Sequence, residues 1–251
     1  MNNLPDELLA DYAARFYGFG TWNAKIWLIG MEEAGAATFD EVDARLRAWN
    51  ERGRKELESA PLFYPAAGVK SWHSANARIE PTWKQIIRML LLARGERDSQ
   101  KAILDYQRAQ FGAAEGGACL AQLLPLPSPT TADWPYQSWS TLDWLRTRPL
   151  YLKELKSRRM NHLKDRVSEH RPKVVIFYGT TLADGTSLLP SWIHIAGRGR
   201  FGQAIEGQRI LLSQQTEHTL FLVTRHPLIE SDTYFKQIGK FLHNEYSGSF
   251  A

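Results

Sequence analysis

The feature that most constrains how this chain can fold is a set of short, continuous apolar runs separated by stretches of helical periodicity. Lys25–Gly30, Ala118–Leu124, Lys173–Gly179 and Thr219–Thr224 are apolar at nearly every position, the pattern of strands covered on both faces. Helical spacing fills the intervals. Leu4–Phe16 has Pro5 in its first turn and Leu8, Leu9, Tyr12 and Phe16 on one face, and it stops at Gly18. Thr38 with Glu41 forms a capping box ahead of Phe39, Val42, Leu46 and Trp49. A helix starts at Pro81 and runs through Leu92, another runs from Asp98 as cap to Phe111, and a last one starts near Ser231 with Phe235, Ile238 and Leu242 inward. Leu152, Leu155, Met160, Leu163 and Val167 make the apolar stripe of a basic helix. Ser59–Glu80 lacks periodicity and is expected to be an ordered surface loop, and the prolines from Pro125 to Pro129 are expected to end the second strand abruptly.

Apolar strands alternating with helices imply a three-layer α/β/α architecture around a central, mostly parallel four-stranded sheet. No repeat, low-complexity tract or linker divides the 251 residues, so residues 1–251 are expected to form a single domain. With 43% hydrophobic and 23% charged residues the chain is of ordinary globular composition, and its net charge of +4 favours an anionic partner. No apolar window approaches the roughly 18 residues of a membrane span, and Asp6 and Glu7 stand where a signal peptide is basic; a cytoplasmic monomer is the expectation. The single cysteine, Cys119, excludes an internal disulfide, a cysteine-based zinc site and a four-cysteine iron–sulfur cluster. The histidines lack zinc-ligand spacing and no Gly-x-Ser-x-Gly elbow is present. Chemistry therefore falls to carboxylates, imidazole, amides and backbone, with no metal or cofactor expected.

Ligands of open parallel sheets bind beyond the carboxyl ends of the strands. There the chain carries Met31-Glu32-Glu33-Ala34-Gly35 after the first strand, Gln122 within the second, Gly179-Thr180 after the third and Arg225-His226-Pro227 after the fourth. This set suits cleavage of an N-glycosidic bond. A carboxylate can stabilise an oxocarbenium-like sugar and orient water, a neutral histidine can donate to the departing base, and an amide can read the base edge.

These residues resemble the uracil-DNA glycosylase superfamily. Gly30–Gly35 looks like its first motif, Arg225-His226-Pro227 like its closing His-Pro motif, Leu120–Pro129 like the strand with the base-reading amide and the phosphate-contacting loop behind it, and Lys173–Gly179 like its third strand. The resemblance implies an enzyme that flips a deaminated base out of DNA and hydrolyses its bond to deoxyribose. It casts Glu32 or Glu33 as the water-handling acid, His226 as donor to the base, Gln122 as reader, and Gly30 and Met31 as part of the base pocket. Phe63, or secondarily Tyr64, would stack on the base. Pro127, Ser128, Gly179, Thr180, Arg198, Arg200 and Arg225 would meet DNA, with Leu228 and Ile229 as wedges filling the gap left by the extruded nucleotide.

The departures from the family pattern are Glu33 where proline is usual, which makes Glu32 and Glu33 rivals for one role, and Gln122 where asparagine is usual, which opens the site to deaminated bases other than uracil. Blander readings stand beside these. Acids after a strand can serve a helix dipole, His226 can be structural and Gln122 a core amide. Arg146–Lys173, with ten basic residues against three acidic, can be a solvated helix face or a phosphate-binding one. At the level of function, a non-catalytic nucleic-acid-binding protein of the same fold and a nucleoside or small-molecule hydrolase remain as alternatives.

Overall fold

The computed structural model describes residues 3–35, 38–128, 133–182, 185–197, 211–215 and 218–246. Among the described residues seven strands form one mixed sheet: β1 (Gly18–Phe19), β2 (Ile26–Ala34), β3 (Leu57–Glu58), β4 (Ala118–Ser128), β5 (Val174–Tyr178), β6 (Leu211–Gln215) and β7 (Thr219–Thr224), in the order β3-β1-β4-β2-β5-β7-β6. The four strands expected from the apolar runs are its parallel centre, with β2 between β4 and β5 and β7 beyond. The sheet is larger than the four strands expected. β1 is antiparallel to β4 and β6 is antiparallel to β7; β1 and β3 are two residues each, too short to leave a periodic signature.

The described residues also form nine α-helices, α1 (Asp6–Arg15), α2 (Phe39–Glu51), α3 (Ala60–Ala66), α4 (Pro81–Ala93), α5 (Gln100–Ala109), α6 (Tyr136–Trp139), α7 (Arg148–His170), α8 (Leu189–Ala196) and α9 (Asp232–Tyr246), and a 3-10 turn at Asp143–Leu145. Thr38 closes the capping box on α2 as its sequence requires. The crossover from β2 to β4 runs in the opposite direction to those from β4 to β5 and from β5 to β7. Right-handed connections therefore place α4 and α7 on opposite faces. α9 packs on α4 and α8 on α7. Phe177 of β5 stacks on Trp192 of α8 with ring centroids 5.0 Å apart.

Several local expectations change. Ser59–Glu80 contains α3, whose Phe63 and Tyr64 are buried, so this stretch is partly core. Ser99, not Asp98, caps α5, and Asp98 instead pairs with Arg88 of α4 at 2.9 Å. β4 does not stop at Leu124 but continues through Pro125 and Pro127 to Ser128. Prolines are tolerated there because the ladder with β2 is irregular: Glu32 faces Leu124, while Ala34 faces Ser128. Side chains take over some of the missing pairing. Tyr151 accepts from the Leu126 N–H at 3.1 Å, and Tyr136 donates to the Pro127 carbonyl at 2.8 Å.

The basic helix α7 is not simply a solvated face. Arg159 is fully buried and donates to the carbonyls of Ala13, Ala14, Phe16, Gln122 and Leu123 at 2.6–3.4 Å, with its guanidinium 3.8 Å from the Tyr17 ring centroid. It thereby satisfies backbone acceptors at the end of α1, where a helix leaves carbonyls unpaired, and ties that end to β4. Among the described residues no helix is long and apolar enough to cross a membrane.

Candidate functional site

A cavity of about 220 Å³ lies at the carboxyl ends of the parallel strands, lined by Glu32, Glu33, Gly35, Gln122, Tyr178 and His226 from the sheet and its connections, and by Tyr64, Trp72, Glu80, Thr82 and Trp83 from α3, α4 and the segment between them. Its position follows from topology: β4 lies on one side of β2, and β5 and β7 lie on the other, so their following segments diverge and leave a crevice. The volume is below the ~300–1,000 Å³ of sites for drug-sized ligands. A larger hollow of about 580 Å³ lies by the amino end of β7, but no carboxylate is among the described residues that line it. Titratable groups converge on the smaller cavity, which makes it the candidate site.

The two adjacent acids of β2 have different environments. Glu33 is saturated: Arg45 donates to both its oxygens at 2.8 and 2.9 Å, and the Tyr64 hydroxyl donates to Oε1 at 2.6 Å. Arg45 is itself only 4% exposed. Glu32 pairs with Arg148, the first residue of α7, through Oε2 alone; its Oε1 is buried without a partner. Burial pushes the Glu32 carboxyl up to about 7, against the opposing pull of Arg148. A carboxyl poised near neutrality with one uncommitted oxygen is equipped for proton transfer, whereas a doubly clamped one is equipped to hold structure.

At the cavity floor Gln122 donates from Nε2 to the Tyr178 hydroxyl at 2.8 Å, and its Oε1 is buried and unpartnered. Gly30 lies directly beneath. A Cβ there would collide with both the Tyr178 hydroxyl and Gln122 Oε1, so this glycine is needed for close approach rather than for its dihedral freedom. Across the cavity, His226 Nδ1 accepts the Leu228 N–H at 3.3 Å, which leaves the ring proton on Nε2. Burial lowers the His226 pKa from its ordinary value, favouring the neutral ring, and the Tyr178 and His226 ring centroids are 6.1 Å apart. Glu80 caps α4 by accepting from the Trp83 N–H at 2.6 Å, and burial raises its carboxyl.

Of the residues singled out in the sequence, Glu32, Glu33, Tyr64, Gln122 and His226 line one cavity, with Gly30 under its floor. Met31 is buried in the core. Phe63 is not at the cavity. It is fully buried against Phe16 and Phe19, because successive residues of a helix point in different directions and Tyr64 takes the inward one. Pro127 and Ser128 are buried as part of β4 and not displayed on a loop. Gly179, at φ +89°, donates its N–H to the Thr224 carbonyl and accepts from the Trp192 indole, and the Thr180 carbonyl accepts from Leu188. Arg225 pairs with Glu230 at 2.8 Å. Leu228 and Ile229 are exposed, at 57% and 69%. Arg198 and Arg200 lie outside the described residues.

Sequence reasoning did not single out Tyr178, Trp72, Trp83, Glu80 or Arg148. Tyr178 had a legible signal, as the last residue of a strand whose carboxyl end faces the site, and Glu80 directly precedes the Pro81 that opens a helix. Arg148 had none, since nothing local distinguishes it within a run of basic residues. Compared with known proteins, the chain matches no protein-family model and no curated protein.

Proposed function

We propose that the protein is a monofunctional DNA glycosylase of the uracil-DNA glycosylase type, excising uracil and other deaminated bases by hydrolysis of the N-glycosidic bond after base flipping. The observation that carries this reading is the convergence of Glu32 and His226 on one base-sized cavity, from the carboxyl ends of β2 and β7.

In this reading the bond between C1′ and the base nitrogen breaks with its electron pair leaving on the base. The Nε2–H of neutral His226 donates to the base oxygen as negative charge collects there. Glu32, ionised, stabilises the cationic sugar and takes the proton of the attacking water, so that the sugar gains a hydroxyl; its buried Oε1 has no partner within the protein. Gln122 Oε1 accepts from the ring N–H that deamination creates on uracil or hypoxanthine. Tyr64, Trp72 and Trp83 provide aromatic walls, and exposed Leu228 and Ile229 are placed two and three residues past His226 to act as wedges.

The burial of Pro127 and Ser128, and the pairing of Arg225 with Glu230, favour a second reading: hydrolysis of a free nucleoside, which needs no phosphate grip. One experiment separates them. Oligonucleotides each carrying one altered base, and the matching free nucleosides, are incubated with the purified protein; alkali-labile breaks score the first and released base scores the second. A steep loss of activity with rising salt accompanies the DNA reading, and no release from any substrate would end both.

A further inference from the structure

The proposed reaction requires Glu32 to be charged in a place that opposes charge. Its side chain is 11% exposed and burial is the largest influence on its carboxyl. The groups that act on it from neighbouring elements are few. Tyr136 of α6 and Tyr151 of α7 are buried neutral phenols, each engaged with the backbone of β4. Around the cavity stand Glu33, held by Arg45, then Glu80, His226 with its pKa lowered, and the phenols of Tyr64 and Tyr178. Among the described residues Arg148 is the cation paired with Glu32.

That pair is built rather than incidental. Arg148 is as buried as its partner, at 11%, and its guanidinium lies over the Trp134 ring, 5.6 Å from its centroid. Thr147 caps α7 and so sets where the first residue of that helix points. Only one oxygen of Glu32 is engaged, and Arg148 Nη1 is itself buried and unpartnered. A pair built for stability would use both arms, as Arg45 does with Glu33, and a half-engaged buried pair is a poor source of stability.

We propose that Arg148 is a positioning residue, which holds Glu32 in its ionised form and fixes it by one oxygen, leaving the other, buried Oε1 without a partner. The inference rests on Glu32 serving as the carboxylate of the proposed reaction, and it has a readout independent of that reaction. In the intact protein, with glutamate side-chain carboxyls labelled with carbon-13, the Glu32 titration is followed by NMR in wild type, Arg148→Gln, Arg148→Met and Arg148→Lys. Removing the charge is expected to raise the midpoint by at least about one pH unit, while lysine keeps it close to wild type. Single-turnover base release is expected to show the same displacement of its acid limb, with the rate of Arg148→Gln recovering at high pH to within roughly tenfold of wild type. A purely structural role would depress the rate equally at every pH. If Arg148→Met does not fold, the contrast of Gln with Lys decides. A midpoint that stays put in Arg148→Gln overturns the proposal. A midpoint that moves in a protein with no base release leaves the control of Glu32 by Arg148 standing and removes the glycosylase reading.

Discussion

Gln122 donates from Nε2 to the Tyr178 hydroxyl at 2.8 Å, and this one bond decides which end of the amide is left without a partner. With the NH2 end turned to Tyr178, the amide leaves Oε1 as an acceptor buried without a partner. An acceptor held in place discriminates by requiring a donor on the ligand, and a ligand without one leaves Oε1 desolvated and unpaired.

In the proposed reaction Tyr178→Phe is therefore expected to loosen the choice of base more than it disturbs folding. The amide loses its anchor and can turn either end to the ligand. Release of the preferred base should fall about five- to tenfold, the equivalent of one neutral hydrogen bond, while the least preferred base changes little. Single-turnover rates on uracil, hypoxanthine and xanthine check this, and an unchanged preference profile would count against the anchoring role.

Gly30→Ala tests the same geometry from below. The added methyl would overlap the Tyr178 hydroxyl and Gln122 Oε1, both confined by packing, so the site has to open to admit it. Overpacking of this kind costs about 1–3 kcal/mol. The expected result is a folded protein of lowered urea midpoint in which base release is lost; full activity would show that the floor is softer than its packing implies.

In the proposed reaction His226→Ala removes the donor to the departing base. Loss of one preorganised donor to a developing oxyanion slows the chemical step by roughly two to three powers of ten. Single-turnover base release measures it with little ambiguity, since binding and product release are excluded. An unaltered rate would take His226 out of the mechanism.

The legible part of this molecule was the part governed by local repetition. The runs at residues 25–30, 118–124, 173–179 and 219–224 became the parallel centre because a strand covered on both faces must be apolar throughout, and no tertiary knowledge is needed to see that. Glu32, Gln122 and His226 sit at or near the carboxyl ends of these strands, where ligands of open parallel sheets bind, and they share a cavity. What sequence could not show depends on partners far away in the chain. Glu32 and Glu33 are indistinguishable until Arg45 is seen to clamp one and Arg148 the other, from 12 and 116 residues away. The choice between Phe63 and Tyr64 turned on the rotation of α3, whose short span with Pro65 inside it hid it among loop signals. Pro125 and Pro127 read as a terminator because the irregular pairing that admits them is a property of two strands, not of one.

Arg159 offers a test of the scaffold apart from the site. It is a fully buried cation without a carboxylate partner among its hydrogen bonds, and the five carbonyls it serves belong to α1, the turn after it, and β4. In Arg159→Leu these acceptors lose their donor in a place water reaches poorly. A loss of at least about 3 kcal/mol is expected, seen as a drop in the urea midpoint with an unchanged slope. A midpoint within experimental scatter of wild type would mean that the carbonyls find other donors.

Glu32 should also leave a signature in the pH dependence of stability. In the folded protein burial holds its carboxyl near 7, against an ordinary value of 4.5. Below 4.5 both the folded and unfolded forms carry the proton. Between the two values the folded form keeps it while the unfolded form has released it, so rising pH favours unfolding, and above about 7 the penalty is complete. Its size is on the order of 3 kcal/mol. Glu32→Gln lacks this titration, although it leaves Arg148 without its partner, a cost that does not vary with pH because the guanidinium stays charged. The contributions of Glu80, with its raised carboxyl, and of His226, with its lowered ring pKa, occur in both proteins and cancel in the comparison. Urea unfolding at pH 5, 6, 7 and 8 should therefore show wild type losing its advantage over Glu32→Gln steadily with rising pH, and two parallel stability curves would mean that Glu32 does not titrate in this range.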